Sequence, residues 1–298
     1  MFSGLTIALL LTGQMPSGSG PADKPTKREQ MRYDGRSFEE WREDLRTELK
    51  EARRVEGLKA MRAFAANGYA TEAVSVTIEV MALYYSEHGY LLRESQDLDA
   101  IAQNVLWMNE EASRPALLAA LKGGQRNQQL YVLEHLGTDF QFAVPVLRDL
   151  AVRADEEVSE KALALMAHSK VPELLAFLDK LYRDGAPKLR CRVINAHWNS
   201  RDDSAYRPLL LRAMKDKEPV VRACAVDCLR GYQDWNGVTK AIIAALDDES
   251  LEVRKKAIDV VRCPNLLSRA APRLRKLLGS ENAEERELAA EALRFFRE

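Results

Sequence analysis

Two histidines are the residues whose type and spacing come closest to a metal-binding site. His168 and His197 each lie seven residues after a basic side chain, Lys161 and Arg190 respectively. If they occupy neighbouring helices, their rings could face one another. Packed helices lie about 8–10 Å apart, however, so a shared ion would require both rings to lean inward. No third or fourth ligand is apparent, so the pattern favours core histidines, and we predict no metal and no cofactor.

Cysteines form the second possible reactive centre. Cys224 and Cys228 are one helical turn apart, so a disulfide between them would strain a helix. No Cys-x-x-Cys pattern occurs, which leaves free, buried thiols as the expected state and is one indication of a reducing compartment. The four cysteines are Cys191, Cys224, Cys228 and Cys263.

No motif in the sequence predicts catalysis. A phosphate-binding loop, a nucleophile elbow, a dinucleotide fingerprint and a zinc-ligand spacing are all missing from the sequence. The net charge is -1, so the chain has no overall field that would attract nucleic acid or anionic lipid. We therefore predict that the protein is not an enzyme and that nucleic acid is not its usual partner.

Two surface features stay open as possible contact sites. Trp198 and Trp235 lie at predicted helix ends, where tryptophan often anchors a protein interface. A basic stripe could meet phosphates along one helix face, although no aromatic residues interleave with it and an ordinary solvated face is the default interpretation. Its residues are Arg262, Arg269, Arg273, Arg275 and Lys276, of which Arg269, Arg273 and Lys276 share the helix face.

Helices must position all of these residues. A capping box at Ser37 and Glu40 opens an amphipathic run with Trp41 in its apolar stripe, and helical periodicity continues almost to the end of the chain. No segment alternates with a period of two. The sequence predicts an all-α chain of about sixteen helices, stacked as about eight antiparallel pairs joined by short loops.

The strongest pattern is a repeat of 32 residues in the last third of the chain. After each repeated arginine, small or apolar residues recur at helical spacing, as at Ala225, Val226, Cys228 and Leu229, which predicts a buried helix stripe. Pro208, Lys240 and Pro272 share one register in the preceding helix. The arginines are Arg190, Arg222, Arg254 and Arg286, and six residues before them stand Asp184, Asp216, Asp248 and Ser280.

The amino terminus differs from the rest of the chain. Residues 1–20 contain an apolar run, Leu5–Leu11, followed by small and turn-forming residues, which resembles a secretory signal without its basic start. We therefore divide the chain into a signal-like or disordered segment, 1–30, and a helical-repeat region, 31–298. Export to the periplasm is slightly favoured over a cytoplasmic location, in conflict with the free thiols. The run is too short to span a bilayer.

The Asp-x(5)-Arg pattern, the helix pairs and the proline in the first helix resemble HEAT repeats, in the short form seen in bacterial and phycobilin-lyase-type proteins. The resemblance implies an armadillo-like right-handed α-solenoid that uses its surfaces for protein contacts. It also implies a buried ladder of aspartate and arginine across the stack. By residue match, the ladder would comprise Asp184, Arg190, Asp216, Arg222, Asp248, Arg254 and Arg286, with Ser280 departing from the pattern.

The resemblance makes a non-catalytic protein–protein interaction scaffold the leading functional prediction. One alternative is a lyase-type HEAT protein that acts on, or assists, a bilin–protein conjugate, although no residue matches a catalytic motif of that group. The other is an anion- or nucleic-acid-binding solenoid. The sequence does not identify the protein partner.

Overall fold

The chain folds into helices throughout the part of it that can be described. The computed structural model describes residues 27–47, 50–85, 96–137, 140–153, 155–169, 171–197, 203–232 and 237–294. Within these ranges there are seventeen α-helices and no β-strand, and one isolated bridge joins Tyr33 to Arg36. No helix there combines the length and the apolar character needed to cross a membrane. The helices are α1 (Lys27–Gln30), α2 (Phe38–Thr47), α3 (Glu51–Phe64), α4 (Ala70–Met81), α5 (Gln96–Leu106), α6 (Glu110–Gly123), α7 (Arg126–His135), α8 (Val144–Arg153), α9 (Glu156–His168), α10 (Pro172–Asp184), α11 (Pro187–Ala196), α12 (Asp203–Ala213), α13 (Pro219–Cys228), α14 (Val238–Ala245), α15 (Leu251–Val260), α16 (Pro264–Leu277) and α17 (Ala283–Arg294).

Helices α2 to α17 form eight successive pairs, from α2 with α3 to α16 with α17. This arrangement is an all-α solenoid, and it confirms the predicted fold class. The predicted boundary between residues 1–30 and 31–298 stays a prediction, because residues 1–26 lie outside the described ranges. Helix α1 falls within the segment predicted to be signal-like or disordered.

The second helices of the pairs form a continuous layer. Each of α7, α9, α11, α13 and α15 packs directly on the second helix of the following pair, whereas the first helices from α6 onward contact one another less. A layer whose helices lie closer together follows the shorter path around a curved stack. We therefore use the term inner face for the exposed side of the second helices, α7, α9, α11, α13, α15 and α17.

The predicted apolar stripe lies in the core. Val226 and Leu229 of α13 and its following turn, and Ile258 and Val261 at α15, are all completely buried. Small side chains such as Ala225 and Ala257 let adjacent helices approach closely. The repeat pattern therefore predicts which face of each second helix is buried.

The first pair begins with the predicted capping box. The Ser37 amide donates to Glu40 Oε2 at 2.7 Å, and the Glu40 amide donates to Ser37 Oγ at 3.4 Å. Trp41 is buried and donates from Nε1 to the Tyr33 carbonyl oxygen at 2.9 Å, so it is a core residue, as the sequence indicates. Between α3 and α4 the chain turns through a π-helical segment, where Gly68 takes a φ of 92° that favours glycine.

A buried polar network joins the pairs around α7. The His135 Nε2 atom lies 3.2 Å from Asp99 Oδ2 of α5, and His135 Nδ1 donates to the Tyr131 carbonyl oxygen at 2.8 Å. Next to it, Glu134 accepts from the Tyr85 hydroxyl at 2.6 Å and from Lys161 of α9 at 3.0 Å. These hydrogen bonds connect three neighbouring helix pairs through side chains.

Candidate protein-interaction surface

The ladder-type arginine of α13 connects its own loop to the next repeat. Arg222 donates from Nη1 to the carbonyl oxygens of Asp216, at 2.9 Å, and Lys217, at 3.2 Å. Its Nε and Nη2 donate to the two carboxylate oxygens of Asp248, at 2.9 and 2.8 Å. Asp248 also accepts from the Ser250 amide at 2.9 Å, where α15 begins. One guanidinium therefore fixes two loops and the start of two helices.

Burial and pairing shift the pKa values of this pair in opposite directions. The Arg222 side chain is 8% exposed and that of Asp248 is 16% exposed. Hydrogen bonding to Asp248 raises the pKa of Arg222. Burial opposes ionisation of Asp248, but the hydrogen bonds from Arg222 and the Ser250 amide, together with the charges of Arg222 and Arg254, outweigh that cost and lower the pKa of the carboxyl group. Both groups are therefore charged around neutral pH.

The preceding repeat has the same geometry. Arg190 donates from Nη1 to the Gly185 carbonyl oxygen at 3.0 Å and from Nη2 to Asp216 Oδ1 at 2.9 Å. Asp216 also accepts from the Tyr182 hydroxyl at 3.2 Å. The structure therefore pairs Arg190 and Arg222 with the aspartate of the following repeat, not with the one six residues before each of them.

The last repeat replaces the aspartate with a different carboxylate. Ser280 stands where Asp216 and Asp248 stand earlier, and Arg254 instead donates to Glu285 at 2.5 and 3.2 Å. The Glu285 side chain is 1% exposed, and hydrogen bonding to Arg254 lowers its pKa. Arg286 donates to the carbonyl oxygens of Ser280 and Glu281 at 2.7 and 3.0 Å, and no carboxylate pairs with it among the described residues.

Asp184 lies outside this arrangement. It is exposed at the end of α10, and the position one period before Arg190 is Val158, which has no group to donate to it. An earlier equivalent exists at Asp155, which accepts from Arg126 Nε at 2.8 Å and caps α9 through the Val158 amide at 3.0 Å. Asp155 therefore does not fall on the 32-residue spacing that the later repeats keep.

Ion pairs cross most helix junctions on the inner face. Between α9 and α11, Glu156 accepts from Lys188 at 3.0 Å. Between α13 and α15, Lys256 lies 3.5 Å from Asp227, and Arg230 pairs with Asp259. Between α15 and α17, Arg262 pairs with Glu291 at 2.7 Å and Lys255 pairs with Glu284.

The junction between α11 and α13 is different, because uncharged groups bridge its exposed side. Cys191 Sγ donates to the Val220 carbonyl oxygen at 3.6 Å, and Cys224 Sγ donates to Asn195 Oδ1 at 3.2 Å. Val220 is 43% exposed, at a register position where the other repeats have Glu156, Lys188, Glu252 and Glu284. No ion pair joins the side chains of these two helices in the described ranges. We name Cys191, Asn195, Val220 and Cys224 the contact strip.

Each of the two histidines of the possible metal site bonds to a backbone carbonyl oxygen of its own helix. His197 is buried, stacks on Tyr206 with ring centroids 5.5 Å apart, and donates from Nδ1 to the Val193 carbonyl oxygen at 2.9 Å. Burial lowers the pKa of His197. His168 is exposed and bonds to the Ala164 carbonyl oxygen. Among the described residues, no group of three His, Cys, Asp or Glu side chains could hold a metal.

His197 also lines an open cleft of about 330 Å³ between α10, α11 and α12. Leucine side chains form much of its wall, and Arg212 pairs with Asp179 across its rim at 2.6 Å. Arg212 also stacks over the Tyr182 ring, 4.7 Å from its centroid. The rim charges of this cleft are therefore already compensated.

The remaining surface predictions have different outcomes. Trp198 and Trp235 lie outside the described residues. In the basic stripe, Arg273 pairs with Asp247 at 2.6 Å, and Arg262 pairs with Glu291 on the inner face. Arg269 and Lys276 are exposed on α16. Arg262 and Arg273 of the stripe are therefore already paired with acidic side chains.

The sequence contains signals for two features that we did not predict. The inner-face carboxylates Asp227, Asp259 and Glu291 and the cations Arg230, Arg262 and Arg294 each recur at 32 residues, like the ladder arginines. Glu285 is acidic at a position where the other repeats have Leu189, Val221 and Val253. A carboxylate in an apolar stripe indicates a buried partner.

Comparison with known families identifies the repeat. Residues 174–262 match the family model described as HEAT repeats, which confirms the resemblance over that segment. These residues span α10 to α15, and they contain two of the three arginine–carboxylate pairs of the ladder. No curated protein matches the chain.

Several solved structures are similar in fold. A chain in a structure of Kap95p with RanGDP matches with a TM-score of 0.49 and 12% identity, covering 87% of this chain and 40% of that one. A designed armadillo repeat protein in complex with the peptide (KR)4 matches with a TM-score of 0.31 and 18% identity, covering 87% of this chain and 99% of that one. A second designed armadillo repeat protein matches with a TM-score of 0.28 and 19% identity, covering 88% and 100%.

Proposed function

We propose that this protein is a non-catalytic scaffold that binds another protein through its inner face, with the contact strip at the centre of the interface. The observation that carries the proposal is the change from ion-paired to uncharged contacts at the junction of α11 and α13. Protein interfaces commonly have an apolar centre depleted of charge and a polar rim. The contact strip and its neighbouring ion pairs have that composition.

The side chains of the strip suit a protein ligand. Val220 offers exposed apolar surface, and Asn195 offers an exposed amide. On either side, Lys188 of α11 and Asp227 of α13 provide partly exposed charge of both signs. We therefore expect a protein segment that presents an apolar side chain to Val220 and polar groups to this rim.

Compensated charge weakens the case for an anion-binding solenoid. Arg262 and Arg273 already pair with acidic side chains, so fewer cations of the basic stripe remain for phosphates. A nucleic-acid complex would instead depend strongly on salt, because it forms by release of counterions from phosphates. No observation on the described residues favours the bilin-lyase alternative.

The test is affinity capture from a lysate of the source organism, with the full chain as bait and Val220→Arg as the variant. We expect a reproducible protein partner whose affinity for the variant falls about tenfold or more, because a charge would replace the apolar centre. Val152→Arg is the matched control, since Val152 of α8 is 51% exposed on the first-helix layer. It should leave binding unchanged.

Three outcomes would overturn the proposal. Equal binding by both variants would remove the contact strip from the interface. Capture of nucleic acid that is released as salt rises would favour the anion-binding alternative. A bait that carries a pigment, detected by its visible absorbance, would favour the lyase-type alternative.

A further inference from the structure

We infer that Cys191 and Cys224 form a redox-active thiol pair, which a peroxide oxidises to a disulfide that links α11 to α13. This inference goes beyond the proposed scaffold function and does not depend on a protein partner. It assigns a modification site to two of the four residues of the contact strip.

Each thiol lies against the backbone of the other helix. Cys191 Sγ is 3.6 Å from the Val220 carbonyl oxygen, which is one turn before Cys224. Cys224 Sγ is 3.7 Å from the Cys191 carbonyl oxygen. Each sulfur therefore lies against the backbone of the facing helix, close to the other cysteine. A disulfide between them would need Cα atoms about 4.4–6.8 Å apart.

The environment favours Cys191 as the attacking sulfur. The hydrogen bond between its sulfur and the Cys224 thiol lowers the pKa of Cys191, and the nearby Arg190 guanidinium acts in the same direction. Asn195 Oδ1 lies 3.2 Å from Cys224 Sγ and is an alternative acceptor for the single proton of that thiol. Cys191 and Cys224 are both partly exposed, so a small oxidant can reach them.

The other two cysteines lack this geometry. Cys228 is 4% exposed and lies on the same helix as Cys224, one turn later, where a disulfide would unwind α13. It donates to the same Asn195 oxygen at 3.4 Å. Cys263 lies at the start of α16, three helix pairs along the stack from α11.

The chemistry consumes one peroxide molecule per disulfide. The Cys191 thiolate attacks one peroxide oxygen, the O–O bond breaks, and the leaving hydroxide takes a proton to become water. Cys191 is then a sulfenic acid. The Cys224 sulfur attacks it, the S–S bond forms, and the S–O bond breaks. The departing hydroxide takes the Cys224 proton to form the second water. Two thiols are oxidised, and the peroxide is reduced to two water molecules.

The test is peptide mapping of the full chain after brief treatment with hydrogen peroxide and alkylation of the remaining thiols. We expect a Cys191–Cys224 cross-linked peptide from the unmodified protein, and also from Cys228→Ser and Cys263→Ser. In Cys224→Ser, dimedone should trap a sulfenic acid on Cys191 about tenfold faster than on Cys263, because the thiolate is the reactive form. Cys191→Ser should yield no cross-link.

The mapping in the unmodified protein does not depend on the folding of any variant, and circular dichroism checks the helix content of each serine variant. A cross-link that joins Cys228 or Cys263 instead would overturn the inference. Full alkylation of both Cys191 and Cys224, after a peroxide treatment that has oxidised Cys263, would also overturn it.

Discussion

Arg222 and Arg286 occupy the same position of two repeats but have different partners. Both donate to carbonyl oxygens of the loop before their own helix. Only Arg222 also forms two hydrogen bonds with a buried carboxylate of the next repeat, Asp248. Substitutions at these two arginines can therefore be compared to separate the contribution of the carboxylate contact from that of the loop contacts.

Arg222→Ala should lower the free energy of unfolding by about 2–4 kcal/mol, because it leaves the Asp248 carboxylate without its cation in a largely buried site. Urea denaturation followed by circular dichroism measures the change. Arg286→Ala is the matched control and should cost about 1 kcal/mol or less, since it loses only hydrogen bonds at an exposed position. A loss below about 0.5 kcal/mol for Arg222→Ala would show that the ladder does not stabilise the stack.

Residue identity along the ladder could be predicted only where the repeat is regular. Arg190, Arg222 and Arg254 follow the 32-residue period, and each of them contacts a carboxylate of the following repeat. The period does not indicate that partner, because the contact joins residues 26 to 31 positions apart. Glu285 supplies the third carboxylate from a position inside α17, beyond Ser280 where the repeat places it, so the spacing does not identify this partner.

At the scale of helices, the junction of α5 and α7 depends on a buried ion pair that the repeat does not encode. Burial opposes the charge on His135, but its hydrogen bonds with Asp99 and the Tyr131 carbonyl oxygen, together with the nearby carboxylate charges, outweigh that effect and raise the pKa of the imidazole. Burial likewise opposes ionisation of Asp99, and the bond with His135 lowers its pKa. The pair is therefore doubly charged between these two values. Glu134 and Lys161 form a second ion pair next to it.

This network should make stability depend on pH. A histidine whose pKa is higher in the folded protein contributes stability that is fully present below its unfolded pKa of about 6.5, and that contribution is lost as pH rises through the folded value. Urea unfolding measured from about pH 5.5 to about pH 8.5 should therefore contain a contribution from His135 that falls as pH rises, opposite in sign to that of His197, whose pKa is lowered by burial. Asp99→Asn should flatten the slope, and His168→Gln, at an exposed histidine, should retain it. An unchanged slope in Asp99→Asn would contradict the assignment.

The helices themselves were easier to predict than the contacts between them. Apolar spacing and the Ser37–Glu40 capping box are local signals, so helix type and the buried stripe of α13 and α15 follow from them. The network around His135 joins residues 36 and 49 positions apart without a repeating spacing. The contact strip likewise arises from residues that are ordinary in sequence and become distinctive only when α11 lies beside α13.

For the whole molecule, the stack is nearly one-dimensional, because each helix pair contacts its neighbours and little else. Stability in such an array is approximately a sum of terms for the repeats and for the interfaces between them. Local opening at one interface should therefore leave distant helix pairs protected.

Arg254→Ala tests this local character by removing the contact between α15 and Glu285 of α17. Because the effect should remain near that interface, we expect amide hydrogens of α17 to lose protection at least about tenfold while those of α9 and α11 keep theirs. Hydrogen exchange with mass-spectrometric detection measures both regions in one sample. Arg286→Ala, which removes no carboxylate contact in the described residues, is the control. Equal loss of protection from α9 to α17 would mean that the solenoid opens as one cooperative unit, and the additive description of the stack would then fail.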